Sequence, residues 1–293
     1  MSELWVSPDQ PTPTSSPSRT ERIKESEPSK KTPQTALLVV LRILPSKLFP
    51  YLFGLLFVVL WQVEGFHRLF RLERYQLPIP SDIVLSIIDH SDILSIYAVY
   101  TGIEIIGGCL LGSLLGLLAA VTASFVPNAG AAAISLTASL NAVPIVALAP
   151  IMNNWLGDGV ASRIGIVSIM TMATMAVTAY KGLRSIEPTY LELMASYAAG
   201  ERHTFFKLRL PKALPAIFSA MKINMSTSII GAIVGEFFIA SRGLGYLLSD
   251  QIRLANMPLS WACIVIAAIL GIVLYTLIQW IEKWSIPWSI SQR

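Results

Sequence analysis

Long apolar runs, separated by shorter polar segments, constrain the fold of this chain more than any other feature. A transmembrane helix needs about 20 consecutive apolar residues. Six runs approach that length, with approximate bounds of 49–66, 97–122, 129–152, 162–181, 216–240 and 260–282. Only 14% of the 293 residues are charged, whereas a soluble domain carries roughly 25%. Six such runs cannot all lie at the centre of one soluble core, so the sequence predicts an all-α, polytopic transmembrane helix bundle with six spans.

The N-terminal 35 residues differ in composition from everything that follows. Residues 1–35 are rich in Ser, Pro, Thr, Glu and Lys and show almost no apolar periodicity. Such a segment buries too little apolar surface to offset the entropy cost of ordering. No apolar core follows the first Met at the distance usual for a signal peptide. We therefore expect a disordered tail at 1–35, a short interfacial helix at 36–48 and a membrane domain that extends to residue 293.

The distribution of Lys and Arg predicts the orientation in the membrane. With six spans, both termini and the polar loop 182–215 lie on one side, which carries 15 Lys and Arg against six on the other. Positive charge accumulates on the cytoplasmic side of membrane proteins. We therefore expect both termini and this loop in the cytoplasm. The net charge of +4 then reflects topology and contact with membrane lipid, and it does not indicate a nucleic-acid partner.

The loop 182–215 has the pattern of two short helices. Pro188 stands where a first helical position favours proline, directly after Glu187. Apolar residues then recur at helical spacing on one face, at Ile186, Tyr190, Leu193, Met194 and Tyr197. An exposed apolar stripe usually marks a surface that binds a partner. The alternative is an amphipathic helix pair that lies flat on the lipid surface.

Two stop signals delimit the predicted helices of this loop. Ala198, Ala199 and Gly200 form a small-residue stop for the first helix, and we expect Gly200 to take the positive φ angle. The second helix is predicted over Thr204 to Leu208 and is expected to end before Pro211.

These residues resemble the signature loop of permease subunits of binding-protein-dependent ABC importers. That signature reads Glu-Ala-Ala, three residues, Gly, nine residues, Ile-x-Leu-Pro. Here Glu192 fills the Glu position, and residues 208–211 fill the last four with the spacing preserved. Leu193, Met194 and Ala198 depart from the Ala-Ala and Gly positions, and the departure at Ala198 moves the expected turn to Gly200.

Two further segments extend the resemblance over about residues 50–285. The Pro-rich segment 141–157 and the segment 235–245 resemble the branch that imports nitrate, taurine, sulfonates and pyrimidine precursors. The resemblance implies a type I importer permease fold, a cell inner-membrane location and a small polar or anionic organic solute. Within the branch, the amino-acid sequence of the loop resembles more closely that of permeases for a pyrimidine-precursor or riboflavin-like solute.

The resemblance also implies partners. The chain has no Gly-x4-Gly-Lys-Ser/Thr phosphate loop, so we expect no cofactor of its own, and ATP is bound by separate ABC ATPase subunits. Six spans are few for a whole pathway, so a second permease copy, most simply in a homodimer, is expected, together with an extracytoplasmic solute-binding protein. We call residues 187–211 the coupling segment. Its predicted ATPase contacts are Glu187, Tyr190, Glu192, Leu193, Met194, Tyr197, Ala198, Gly200, Leu208, Leu210 and Pro211.

Polar residues within the apolar runs are the candidates for the translocation pathway. Asn141 lies in the third span near Pro144 and Pro150, which free backbone carbonyls that are tolerated where a helix lines a cavity. The predicted pathway residues are Asn141, Ser226, Thr227, Ser228 and Glu236. Intramembrane carboxylates are costly and often functional, but Glu236 could equally be a structural partner of Arg242. Glu104 is expected to pair with a polar group on a neighbouring span.

The remaining patterns concern helix packing and the absence of metal-binding or catalytic motifs. Gly108, Gly112 and Gly116 form a small-residue ridge suited to close helix packing, without indicating which helix lies opposite. No residues have metal-ligand or nucleophile spacing, so we expect no metal and no catalytic residues. Two alternatives to an importer permease stay open: a secondary transporter driven by an ion gradient, and a membrane-embedded enzyme.

Overall fold

A computed structural model describes residues 49–288, except for the side chains at positions 127 and 128. The predicted tail at 1–35 and the interfacial helix at 36–48 lie outside the described residues. The chain divides into a unit that ends at Leu56 and a larger unit that begins at Phe57. The helix Phe49–Gln62 begins in the first unit and ends in the second. The helix bundle belongs to the second unit.

All regular elements of the described chain are helical. We number the helices in chain order: α1 Phe49–Gln62, α2 Gly65–Phe70, α3 Pro80–Asp89, α4 Ser91–Phe125, α5 Pro127–Ser139, α6 Ile145–Leu156, α7 Val160–Arg184, α8 Pro188–Ser196, α9 Glu201–Thr204, α10 Leu210–Ile239, α11 Leu244–Arg253 and α12 Met257–Ser285. The prediction of an all-α bundle is therefore confirmed.

Four of the six predicted spans are single helices long and apolar enough to cross a membrane. They are α4 with 35 residues, α7 with 25, the continuous helix Glu201–Ile239 with 39, and α12 with 29. The run predicted at 49–66 contains only the 14-residue α1, because the chain turns after Gln62 and Glu64 takes a left-handed φ of 61°. Within the described residues the count is therefore four, or five if the third run crosses as a bent pair. Six spans are not confirmed.

The third predicted run is broken rather than straight. Its two helical parts, Ala129–Ala142 and Ile145–Leu156, meet at an angle of 98°. Val143 and Pro144 between them have extended backbone, with ψ angles of 122° and 123°. A proline disfavours the helical conformation of the residue before it. Pro144 therefore ends the first part and begins the second.

Close packing of α4 against α7 forms the centre of the bundle. A Cβ atom added to Gly108, Gly112 or Gly116 would overlap atoms of α7, among them the Thr171 side chain. The Thr171 hydroxyl also lies 3.3 Å from the Gly108 carbonyl oxygen. The structure thus identifies α7 as the helix opposite the glycine ridge.

Apolar clusters fill the bundle at both ends. One joins α4, α7 and α10 beside the coupling segment and includes Tyr180, Leu183 and Phe205. Another joins α3, α4, α11 and α12 at the opposite end and includes Ile83 and Leu259. Van der Waals packing within these clusters helps to hold the helices together where they do not face lipid.

Candidate functional site

The coupling segment begins with the helix that the sequence predicts. Helix α8 starts at Pro188, directly after Glu187. On the predicted stripe, the side chains of Tyr190, Leu193 and Tyr197 are 49%, 50% and 76% exposed. Ile186 and Met194 are half-buried. A short helix with three large exposed apolar side chains is suited to a protein partner.

The end of α8 differs from the expectation for Gly200. Ala198 has the positive φ angle, at 50°, while Gly200 has an ordinary φ of −65°. The Ala199 N–H donates to the Met194 carbonyl at 3.0 Å, and the Ala198 N–H donates to the Ala195 carbonyl at 2.9 Å. These two bonds form a Schellman motif, whose left-handed position usually holds glycine. The turn has therefore stayed at position 198, and the prediction for Gly200 is wrong.

The second predicted stop is also wrong, because the helix passes through Pro211. After α9, residues Phe205–Arg209 form a π-helical turn that leads directly into α10. The Leu210 N–H donates to the Phe205 carbonyl, five residues back. The wider π turn accommodates Pro211, which lacks an N–H to donate. Leu208, Leu210 and Pro211 are consequently half-buried in a continuous helix rather than exposed in a loop.

The ends of three long helices meet behind α8. The Phe125 ring at the end of α4 lies 5.4 Å from the Phe205 ring in the π turn. A cavity of about 330 Å³ opens at this junction, between the ends of α4 and α7 and the coupling segment. Of the remaining predicted contact residues, Glu187 is exposed at the start of α8, and Glu192 is exposed on α8 itself.

The polar residues predicted for the pathway fall into three environments. Asn141 and Thr227 line one cavity of about 390 Å³ at the bend of the third run, together with Pro144 and Met170. Ser226 and Thr227 line a neighbouring groove with Tyr275 of α12. Thr227 lines both openings.

Ser228 lies away from both openings. It is fully buried, and its hydroxyl donates to the Asn224 carbonyl oxygen at 2.6 Å.

Glu236 lies in the third environment, a buried network toward the other end of the bundle. Its side chain is fully buried. It accepts a hydrogen bond from the Thr101 hydroxyl at 2.6 Å and one from the Gly245 N–H at 2.7 Å. The Thr101 hydroxyl in turn accepts the Leu244 N–H at 2.9 Å. Glu236 and Thr101 thus hold the first turn of α11 against α4.

Glu236 is not paired with Arg242, the partner that the sequence suggested. Arg242 donates to the Tyr100 hydroxyl at 2.9 Å. The Glu236 carboxyl instead lies within interaction range of Glu104. Glu104 is paired with Arg163 of α7 at 3.3 Å, as expected for a polar partner on a neighbouring span.

The sequence did not identify two of the ionic pairs. Arg163, at the start of the fourth predicted span, counts there among the six cations of the non-cytoplasmic side, yet it is 3% exposed inside the bundle and also pairs with Asp158 at 2.9 Å. Lys222 of α10 and Glu282 of α12 pair at 2.8 Å. A lone charge within an apolar run was the available signal, since such a charge requires a partner.

Comparison with known proteins decides the family. Residues 112–288 match the model of the family described as "Binding-protein-dependent transport system inner membrane component". The chain belongs to this family. It is a multi-pass inner-membrane permease subunit of an ABC importer for small solutes, and the family implies an ATPase and a solute-binding protein as partners.

Individual relatives support the same assignment. The permease is 31% identical to a probable ABC transporter permease protein of Haemophilus influenzae, over 80% of this chain and 94% of the relative. It is also 31% identical to the formylaminopyrimidine transport permease protein ThiX of Halalkalibacterium halodurans, over 83% of this chain and 96% of the relative. These relatives favour a member of the predicted branch and lend no support to a secondary transporter or an enzyme.

A solved structure shows the same fold. The inward-facing MetNI methionine ABC transporter aligns with a TM-score of 0.57, covering 67% of this chain and 95% of that chain at 18% identity. This likeness confirms the type I importer permease fold.

Proposed function

We propose that the permease carries a small polar or anionic organic solute through a pathway formed with a second copy, and that ATP bound to a separate ATPase supplies the energy. The ATPase docks on the coupling segment. The observation that carries this proposal is the exposure of Tyr190, Leu193 and Tyr197 on α8, which a short turn joins to the continuous helix Glu201–Ile239. The permease itself holds no cofactor, metal or catalytic residue in this proposal.

The connection of the coupling segment to α10 provides the route for the energy. The helix runs without a break from Glu201 to Ile239, and Thr227 on this helix lines the cavity at the bend. Movement of the docked ATPase would therefore displace the pathway residues directly. Rigid-body rocking of this kind is a common way to expose one site to two sides alternately.

The solute pathway lies, in this proposal, at the cavity shared by Asn141 and Thr227. Both residues are neutral and polar, and they lie where the bent third run meets α10. One copy leaves this cavity open at its side, so a second copy is needed to enclose a solute. A homodimer is the simplest arrangement, with both termini and the coupling segment in the cytoplasm as the excess of Lys and Arg indicates.

A pyrimidine precursor is the solute we favour. ThiX is named for formylaminopyrimidine transport, and it matches this chain over nearly its whole length. A compact heterocycle offers several hydrogen-bonding groups, which suits a cavity lined by an amide and a hydroxyl rather than by charges. Glu236, buried in its network, acts in this proposal as a support for the neighbouring α11 and not as a solute ligand.

The docking site is tested by charge substitutions on the apolar stripe. Tyr190→Asp with Leu193→Asp places two carboxylates on the exposed stripe, so the ATPase should no longer co-purify with the permease from detergent-solubilised membranes. Membrane insertion should be unchanged, since neither side chain packs in the core.

Ala195→Asp is the matched control. Ala195 is also exposed on α8, but a residue two positions away from Leu193 and Tyr197 does not share their face. The control should retain the ATPase. Full ATPase recovery with the double variant would contradict the proposed docking face.

A further inference from the structure

The cavity behind α8 has a charged lining that the docking role leaves unused. It is lined by Arg184, Arg209, Glu201 and Ser124, together with Phe125, Leu183, Ile186 and Leu191. Two arginines and one glutamate therefore contribute to the lining of a cavity of about 330 Å³.

Tyr180 orients the exposed Arg184 side chain at this cavity. Its Nη1 atom donates to the Tyr180 hydroxyl at 2.7 Å, and its guanidinium carbon lies 5.6 Å from the centre of the Tyr180 ring. Tyr180 itself is only 9% exposed. One donor of the guanidinium is thus used to orient the group, and the others are available for a ligand.

The arginines lack acidic partners in the part of the chain that the structure describes. Over residues 49–288, neither Arg184 nor Arg209 has a carboxylate within 4.0 Å. Two further basic residues, Lys181 and Lys212, are exposed and lie three positions from Arg184 and Arg209 in the chain. A guanidinium pair in basic surroundings favours a ligand with a planar or tetrahedral set of anionic oxygens, most of all a phosphate.

The position of the cavity indicates where a phosphate would come from. The cavity lies where α4 and α7 end, at Phe125 and Arg184. The Phe125 side chain there is 47% exposed and apolar. In the proposed orientation this is the cytoplasmic surface of the bilayer, where anionic phospholipids lie, and basic pockets between helices on that side bind their headgroups.

We propose that the cavity formed by Arg184 and Arg209 binds a phosphate group, supplied by the headgroup of an anionic phospholipid of the inner leaflet. The phosphate accepts hydrogen bonds from both guanidinium groups. It fills the space between α8 and the ends of α4 and α7, and thereby supports the coupling segment from behind. The lipid source rests on the proposed orientation, whereas the phosphate site rests on the lining alone.

Lipid retention by the intact complex tests this site. The permease is purified with its ATPase, and native mass spectrometry counts the phosphatidylglycerol retained per permease copy during titration with that lipid. Arg184→Gln with Arg209→Gln removes both lining cations, and we expect phosphatidylglycerol binding to weaken about tenfold or more, because two charge-assisted hydrogen-bonding groups are lost. Arg202→Gln with Lys207→Gln is the matched control. It removes the same charge from exposed positions outside the lining and should bind as the wild type does.

A second arm separates a lipid phosphate from a free phosphate. Wild type and both variants are placed in phosphatidylcholine nanodiscs, and thermal stability is measured with increasing inorganic phosphate. If only the lining variant loses the stabilisation by inorganic phosphate, the site is supported and its phosphate comes from solution. If only the lining variant loses lipid retention, the site is supported and its phosphate comes from a lipid. Equal behaviour of the lining variant and the control in both arms overturns the proposal.

A further variant keeps the test valid if the double lining variant does not fold. Glu201→Gln removes the one negative charge of the lining. Phosphatidylglycerol should therefore bind severalfold more tightly, which is the opposite of the effect expected for the double arginine variant. Unchanged binding would contradict the site. ATPase recovery is scored on the same preparations and on Tyr190→Asp with Leu193→Asp, so a failed docking proposal shows as full ATPase recovery with that docking variant and not as a difference between lining variants.

Discussion

At the scale of single residues, Ala198 shows how a turn is retained without its usual residue. The chain bends after α8 with two Schellman bonds, and Ala198 takes a φ of 50° to allow them. A left-handed conformation costs an L-residue with a Cβ atom roughly 1–2 kcal/mol. The surrounding contacts of the coupling segment must offset this cost. The same bonds orient α8 relative to α9, so this position sets the angle at which the docking stripe is presented.

Ala198→Gly should therefore stabilise the coupling segment by about 1 kcal/mol, because glycine takes the left-handed conformation without a Cβ clash. Hydrogen exchange of the α8 amides in the purified permease measures the effect, and exchange should slow severalfold. Ala199→Gly is the control, since Ala199 is not among the residues with positive φ, and it should leave exchange unchanged or faster. Faster exchange in Ala198→Gly would show that the turn is not strained.

At the scale of elements, the contact between α4 and α7 depends on the absence of side chains on one helix face. The backbone of α7 approaches the glycine ridge so closely that the Thr171 hydroxyl reaches the Gly108 carbonyl. In lipid there is little hydrophobic force between helices, so close packing and hydrogen bonds across small residues hold them together. The ridge thus fixes the α7 position, and with it Arg163 and the start of the coupling segment.

Gly112→Ala should destabilise the permease by about 1–3 kcal/mol, the usual cost of an added methyl group in a well-packed interface. The new Cβ would overlap the Thr171 side chain and the Ser168 backbone, and backbone atoms cannot move aside cheaply. Thermal unfolding in detergent measures the loss.

Gly107→Ala provides a control on the same helix. Its Cβ would meet only the flexible end of the Ile164 side chain, so the unfolding temperature should fall much less. An equal decrease in both variants would contradict this explanation, because Gly107→Ala lacks the overlap with the α7 backbone and the higher helix propensity of alanine cannot lower the unfolding temperature.

At the scale of the whole molecule, the bent third run and the long helix ending at Ile239 bring polar groups to one cavity. Asn141 and Thr227 are 86 positions apart in numbering, yet both line it. The same helix carries the π turn, which lies within the coupling segment. A short turn joins the docking stripe on α8 to the helix that lines the cavity, so a change at the docking surface is expected to alter access at the cavity.

Cysteine accessibility tests this arrangement. In a background without Cys109 and Cys263, which are both buried, Thr227→Cys should react with a small water-soluble thiol reagent. The rate should differ between the ATP-trapped and resting complexes, because alternating access changes which side wets the cavity. Ser228→Cys is the neighbouring control and should stay unreactive, since Ser228 is fully buried. Equal inertness at Thr227 in both states would exclude this cavity from the pathway.

The sequence by itself determined the helical class, four of the long spans, the start of α8 at Pro188 and the family. These features depend on composition and on spacings of a few residues, where neighbours along the chain decide the outcome. The bend at Pro144 also had a local signal, but the angle of 98° did not. A proline predicts that a helix stops without indicating where the next one points.

Only the tertiary structure decided which distant groups meet. Arg163 pairs with Glu104, and Lys222 pairs with Glu282 sixty residues away; no local pattern identifies such partners. The helix continued through Pro211 because a π turn widens the backbone there, and Ala198 kept a glycine position because contacts offset its strain. At Pro211 the continuous helix thus outweighed a local preference of about 3 kcal/mol.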